Sequence, residues 1–132
     1  EFRRVLFRST SNFTTMHKIF ALIGFIALCA FTFSAAVEKG KASYYSSKFE
    51  GKKTSSGETF RQDSLTAAHK TLPFGTKVKV TNLRNDSTVV LRINDRLSKN
   101  SGHCIDVTLR AAKKLNFVRD GITSVTVEKL NP

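Results

Sequence analysis

Three ionisable side chains stand at the ends of apolar or glycine-containing segments, where they could carry acid–base chemistry. Glu58 ends TSSGE, His69 ends SLTAAH and Asp95 ends VVLRIND. A carboxylate at the end of an apolar strand is held rigidly and partly removed from water, which raises its affinity for a proton. A general acid needs that property at neutral pH. Asp95 is therefore predicted as a general acid, in a surface groove within reach of His69 and close to Glu58.

Each of these residues also has a simpler interpretation. Asp95 could only start the turn NDRLS, which is a common role of aspartate. His69 could be a hydrogen-bonded core histidine, and Glu58 could be a solvated loop residue. Asp106, inside CIDVT, is unusual for a buried strand, and a structural role is favoured for it over catalysis.

Neither a metal nor another cofactor is predicted. His69 and His103 lie far apart in the sequence, and Cys104 belongs to no paired-ligand motif. No glycine-rich phosphate-binding loop is present in the sequence. Cys104 is expected to be a free, buried thiol.

Aromatic and basic residues lie close together in a short stretch that could form a ligand groove. Tyr44, Tyr45 and Phe49 lie close in sequence to three lysines, at positions 48, 52 and 53. Such a groove would suit sugar rings or bases. It is equally compatible with the sequence that some of these rings fill the core.

The elements that must position these residues are short strands. KASYYSS, SLTAAH, TKVKVTNL, TVVLRIND, CIDVT and TSVTVEKL are apolar or alternate with period two. The turn-forming residues 84–87 predict a hairpin between the third and fourth segments. Only residues 108–116 have helical character, with Thr108 as a possible N-cap. We predict an all-β fold of about six strands and one short helix, closed into a barrel that leaves no sheet edge exposed.

The amino-terminal third is expected to lie outside the folded domain. Residues 16–36 begin with His17 and Lys18, continue in an apolar run and end in small residues, as a secretory signal peptide does. A retained membrane anchor is the alternative. Residues 1–15 match no signal-peptide region and are interpreted as translated upstream sequence or as residues added by cloning. Leu28 makes the surroundings of Cys29 a poor lipidation site. The domain is placed at residues 40–131, exported to the periplasm or cell envelope.

The charge of the remaining chain favours an anionic partner. Residues 37–132 contain 18 Lys and Arg against nine Asp and Glu, a net charge of +9. For an exported protein, an acidic polysaccharide fits this surplus better than nucleic acid does. Solubility alone is the simpler explanation.

Four ordered motifs together resemble one known family. KASYYSSKFEGKKTSSGETF, LTAAHKTLPFGTKVKVTNL, VVLRINDR and IDVTLRAAKKL are similar to the rare lipoprotein A (RlpA) family, from about Gly40 to Leu130. The resemblance implies a six-stranded double-psi β-barrel. It also implies an endolytic lytic transglycosylase that cleaves peptidoglycan glycan strands between N-acetylmuramic acid and N-acetylglucosamine, preferring strands without stem peptides.

The resemblance assigns roles to individual residues. The family's catalytic aspartate matches Asp95, its supporting histidine matches His69, and its motif glutamate matches Glu58. His69 is expected to orient or polarise Asp95, and Glu58 to hold the sugar or tune the local field. The residues expected to bind substrate are Tyr44, Tyr45, Thr54, Asn94 and Arg96.

The sequence departs from the family pattern at two places near the proposed acid. Leu97-Ser98 replace the usual Gly-Pro, and His103-Cys104 replace an arginine and an aliphatic residue. A non-catalytic, expansin-like polysaccharide-binding module is the alternative, because it needs the same groove. A nucleic-acid-binding domain is disfavoured by the signal peptide. The protein is expected to act on glycan strands as a monomer, without stable membrane insertion.

Overall fold

Residues 35–132, which a computed structural model describes, contain six strands, one α-helix and a short 3-10 helix at Ser47–Phe49. The predicted upstream segment and nearly all of the predicted signal peptide lie outside these residues. The strands are β1 (Val37–Tyr44), β2 (Thr66–His69), β3 (Lys77–Asn82), β4 (Thr88–Arg96), β5 (Ile105–Val107) and β6 (Ile122–Lys129); the helix is α1 (Leu109–Lys114). Within residues 35–132, no helix has the length and apolar content that crossing a bilayer would require.

The strands close into a barrel in the order β1-β5-β2-β4-β3-β6. β1 runs parallel to β5 and β2 runs parallel to β4, while the other four neighbouring pairs are antiparallel. The β3–β4 pair is the hairpin predicted around residues 84–87. The all-β six-stranded barrel with one helix is confirmed.

The core fills the barrel interior with alternate residues of the strands. Val78, Leu91, Ile93, Ile105 and Val125 are at most 1% exposed. Period-two alternation explains this pattern, since every second side chain of a half-buried strand points inward. At one end, Phe117 follows α1 and is completely buried.

Two element boundaries differ from the prediction. β1 begins at Val37, before the predicted KASYYSS segment, because Val37 to Ser43 pair continuously with β6. α1 ends at Lys114, and Asn116 adopts a left-handed φ of 55°, which stops the helix before the predicted end. The predicted N-cap is confirmed: the Thr108 side chain accepts a hydrogen bond from the Ala111 N–H.

Candidate active site

One row of paired residues crosses four strands on the outer face of the barrel. Ala68 on β2 pairs with Asp95 on β4 and with Asp106 on β5, and Asp106 pairs with Ser43 on β1. The neighbouring row contains Ala42 and Ile105, which are completely buried in the core. Because adjacent rows point to opposite faces, Asp95 and Asp106 share the outer face. Their Cα atoms are two strand spacings apart, about 10 Å.

A β-bulge in β4 sets the direction of Asp95. β2 pairs Ala67 with Ile93 and Ala68 with Asp95, so Asn94 has no partner on β2. Without that extra residue, the regular register would place Asn94 opposite Ala68. Bulges commonly re-aim side chains beside functional sites, and this one brings a carboxylate to the outer row. The sequence pattern of alternating residues contains no signal for it.

Asp95 is held by three hydrogen-bond donors. The Tyr45 hydroxyl donates to Oδ2 at 2.6 Å, while the Ser55 N–H and the Arg96 N–H donate to Oδ1 at 2.9 and 2.8 Å. The donors come from three different segments, so the carboxylate is oriented by the fold. The simpler interpretation of Asp95 as a turn residue explains only the bond from Arg96.

The protonation state of free Asp95 differs from the prediction. Burial acts to raise the pKa of Asp95, as the sequence argument assumed. The hydrogen bonds from Tyr45, Ser55 and Arg96 favour the charged form and outweigh burial, so the pKa lies below its usual value. Without substrate, Asp95 is therefore ionised at neutral pH.

Glu58 is joined to β4 by an ion pair with Arg92 and a hydrogen bond from Asn94, the residue before the acid. Its carboxylate accepts a bidentate pair of hydrogen bonds from Arg92 and a third, at 3.0 Å, from the Asn94 side chain. The hydrogen bonds from Arg92, and to a smaller extent the one from Asn94, lower the pKa of Glu58. The ion pair is exposed to solvent and adds little stability. Its effect is to fix the loop that carries the Ser55 N–H against β4.

His69 does not form the predicted contact with Asp95. The ring is 4% exposed, and Nε2 lies 2.8 Å from the Glu38 carboxylate. Nδ1 accepts the N–H groups of Thr71 and Leu72, both at 3.1 Å. Both ring nitrogens are thus occupied, which corresponds to the simpler interpretation of a hydrogen-bonded core histidine.

The two tyrosines at the end of β1 have different surroundings. Tyr45 binds Asp95 and packs against the rings of Phe49 and Phe60. Tyr44 packs edge-to-face on the core residue Phe117 and donates its hydroxyl to the Val118 carbonyl. Tyr44 is therefore partly buried and packs against the core, whereas Tyr45 is the hydrogen-bond partner of the acid.

Of the other residues expected to bind substrate, two are buried and hold a loop in place, and one is partly exposed. Thr54 and Asn94 are at most 9% exposed and bond the loop around Ser56 and Glu58. Arg96 is partly exposed, and its guanidinium lies 4.2 Å from the ring centre of Phe74. Of these three, only Arg96 has a side chain placed for direct contact with a ligand.

Asp106 takes part in a polar cluster on the same outer face. Its carboxylate accepts the Ser43 hydroxyl, and the same hydroxyl lies 3.0 Å from Nδ1 of His103. Sequence reasoning assigned Asp106 a structural role and missed its position in the row of Asp95. The alternation of β5 could have indicated it, because Ile105 and Val107 must face the core.

Cys104 is a buried free thiol, as expected. Burial raises its pKa to about 11, so it is not a nucleophile at neutral pH. Within residues 35–132, no cluster of three or more His, Cys, Asp or Glu side chains is suited to hold a metal ion.

The fold and the site together define a class of protein. The barrel resembles the expansin of Clavibacter michiganensis, with a TM-score of 0.60 and 17% identity over 73% of this chain and 51% of that one. The fold is accordingly a double-psi β-barrel. A family model described as "lytic transglycolase" matches residues 37–127. The chain belongs to this lytic transglycosylase family.

Two curated relatives carry the family's activity in their names. The probable endolytic peptidoglycan transglycosylase RlpA of Synechocystis is 47% identical over 74% of this chain and 32% of its own length. The endolytic peptidoglycan transglycosylase RlpA of Neisseria meningitidis is 44% identical over 72% of this chain and 40% of its own length. The chain thus spans about a third to two fifths of the relatives it matches.

Proposed function

We propose that this domain is an endolytic peptidoglycan lytic transglycosylase, with Asp95 as its acid and then its base. The observation that carries the proposal is the placement of Asp95: a partly exposed carboxylate on the outer face, fixed by three donors from separate segments. Membership of the family and the names of its relatives support the same reaction.

One carboxylate is sufficient for this reaction. Asp95 donates a proton to the glycosidic oxygen between N-acetylmuramic acid and N-acetylglucosamine as the bond breaks. The oxocarbenium-like carbon is captured by the 6-hydroxyl of the same muramic acid, whose proton returns to Asp95. A 1,6-anhydro end forms without water, because the nucleophile is already part of the substrate. Glu58 keeps the Ser55 loop in place beside the acid.

Substrate binding can supply the proton affinity that the free site lacks. Asp95 is partly exposed, and burial already acts to raise its pKa against the three hydrogen bonds. A glycan bound over Asp95 displaces water from the carboxylate and strengthens that effect. The surplus of basic residues also suits the lactyl carboxylates of muramic acid.

An expansin-like binding module is the second candidate, because the fold is shared with an expansin. The two functions differ in whether soluble fragments leave the wall. Purified, peptide-free glycan strands incubated with the protein and separated by size distinguish them. The proposal expects shortened strands over time; unchanged strands that bind the protein would identify a binding module.

Tyr45→Phe tests the control of Asp95 directly. Removing the hydroxyl removes a hydrogen bond that lowers the pKa of Asp95, so that pKa rises. A larger fraction of the acid is then protonated at a given pH. The high-pH limb of the kcat/KM profile, which reports the acid of the free enzyme, is expected to move to higher pH.

Tyr44→Phe is the matched control, since its hydroxyl bonds the Val118 carbonyl on the core side. Its pH profile should match that of the wild type. A Tyr45→Phe profile that coincides with both would mean that Asp95 is not the titrating acid.

We also propose that the chain is exported and cleaved near Ala36. The support is the basic start, apolar run and small residues of positions 16–36. Amino-terminal sequencing of the protein from the cell envelope should find a start close to residue 37. Recovery of a chain that still begins at or before Met16 would contradict this proposal.

A further inference from the structure

We propose that His69 is a positioning residue: it shapes the loop of residues 70–75, which packs on the residue that follows the acid, and takes no part in proton transfer. This inference rests on the proposed function. It replaces the role expected from the family resemblance, in which the histidine orients or polarises Asp95.

The hydrogen bonds of His69 fix its tautomer. Nδ1 accepts two backbone N–H groups, from Thr71 and Leu72, and a nitrogen that accepts cannot carry a hydrogen. The ring hydrogen is therefore on Nε2, where it donates to the Glu38 carboxylate. A proton-transfer partner needs a nitrogen free to reach the reacting group, and neither nitrogen of His69 is free.

The register of the barrel separates His69 from the acid. His69 pairs with Arg96 and with Ile105, whereas Asp95 pairs with Ala68 in the next row. Ile105 is completely buried in the core. Since adjacent rows face opposite sides of a sheet, the imidazole lies on the inner side and the Asp95 carboxylate on the outer side.

The loop that His69 holds leads to an exposed aromatic residue that packs on Arg96, the neighbour of the acid in the sequence. Phe74 lies two residues after Leu72 and is 44% exposed. Its ring stacks on Arg96, whose guanidinium also donates to the His69 carbonyl at 3.2 Å. The Arg96 N–H in turn donates to Asp95. By the same rule, the Arg96 side chain starts on the inner side with His69. His69, the loop and Arg96 thus form one bonded unit that reaches the acid through the Arg96 backbone N–H.

This unit has the chemistry of a subsite for an anionic sugar. An exposed ring can pack against the apolar face of a pyranose, and a neighbouring guanidinium can pair with a carboxylate. Disturbing His69 should therefore weaken substrate binding and leave the acid step itself intact. The expected signature is a change in KM with little change in kcat.

Two substitutions of His69 test the roles of its two ring nitrogens separately. In His69→Asn, the amide oxygen takes the position of Nδ1 and can still accept from Thr71 and Leu72. In His69→Gln, the longer amide reaches the position of Nε2 and leaves both N–H groups without their acceptor. We expect His69→Gln to raise KM about tenfold, because the loop then has to be ordered when the substrate binds, and a tenfold change is equivalent to about 1.4 kcal/mol. His69→Asn should restore most of that loss.

Two further variants complete the test with peptide-free glycan strands. Phe74→Ala should raise KM as His69→Gln does, and the double variant should add little, because both act through one loop. Glu38→Gln keeps an oxygen that accepts from Nε2 but cannot act as a base. Because the proposal gives His69 and Glu38 no part in proton transfer, this variant should retain the wild-type kcat. A kcat that falls equally in His69→Asn, His69→Gln and Glu38→Gln, with KM unchanged, would overturn the proposal in favour of proton transfer.

A binding measurement makes the inference independent of cleavage. In the Asp95→Asn background, calorimetry with the same strands should show weaker binding for His69→Gln and near-normal binding for His69→Asn. If the wild type binds strands without cleaving them, the proposed function fails, and this series still decides the role of His69. Equal strand affinity in His69→Gln and His69→Asn would overturn the proposed role of His69. Thermal unfolding of each variant identifies any that fail to fold.

Discussion

Asp95→Asn is expected to reduce glycan cleavage by a factor on the order of 10²–10⁴, the usual contribution of general acid–base catalysis. Asparagine has the shape of aspartate, and its Oδ1 can still accept the Ser55 and Arg96 N–H groups. Its Nδ2 takes the place of the oxygen that accepts from Tyr45, and it can donate to that hydroxyl instead. It cannot donate the proton that the glycosidic oxygen needs or take up the proton of the 6-hydroxyl. The loss should therefore appear in kcat, measured by release of soluble glycan, while strand affinity largely persists.

Asp63→Asn is the matched control for this variant. It makes the same change of charge at an exposed aspartate outside the outer row of Asp95, and its kcat should equal that of the wild type. If Asp95→Asn cleaves strands at the wild-type rate, Asp95 is not the acid. Asp106, on the same outer face, would then be the next carboxylate to substitute.

Phe117→Ala is expected to destabilise the domain by about 3–5 kcal/mol, as for other fully buried phenylalanines. Phe117 is completely buried after α1 and packs edge-to-face on Tyr44, so alanine leaves a cavity at that end of the barrel. A domain of this size has a total stability of about 5–15 kcal/mol. The midpoint of denaturant unfolding, followed by circular dichroism, should fall accordingly.

The activity of Phe117→Ala separates stability from chemistry. Well below its unfolding temperature, the folded fraction should keep the wild-type kcat, because the Phe117 ring packs on Tyr44, whereas Tyr45, a donor to Asp95, packs on Phe49 and Phe60. Asp95→Asn should show the reverse, with cleavage lost and unfolding little changed. A Phe117→Ala protein as stable as the wild type would mean that this end of the barrel is not packed as described.

The barrel could be predicted because its signals are local. The alternation of TKVKVTNL and TVVLRIND specifies two strands with one buried face, and residues 84–87 supply the turn between them. Thr108 marks the start of α1 through its side-chain bond to Ala111. Asp95 could also be selected, since it is a carboxylate that ends a predicted apolar strand.

The surroundings of Asp95 could not be predicted, because they depend on non-local pairing. The bulge at Asn94 decides which residue of β4 faces outward, and it arises only from the register with β2. The same register places His69 on the opposite face, although its spacing from Asp95 fits the family motif. The pKa of Asp95 was expected to rise because of burial. The hydrogen bonds that outweigh burial come from Tyr45 and Ser55, which are distant in the sequence, as well as from the adjacent Arg96.

Mass spectrometry of the products from peptide-free glycan strands tests the central claim most directly. A lytic transglycosylase releases fragments that end in 1,6-anhydro-N-acetylmuramic acid, each lighter by one water than the product of hydrolysis. The account predicts these anhydro ends with the wild type and their loss with Asp95→Asn. Fragments with ordinary reducing ends would contradict it, because they would require a second carboxylate to activate water.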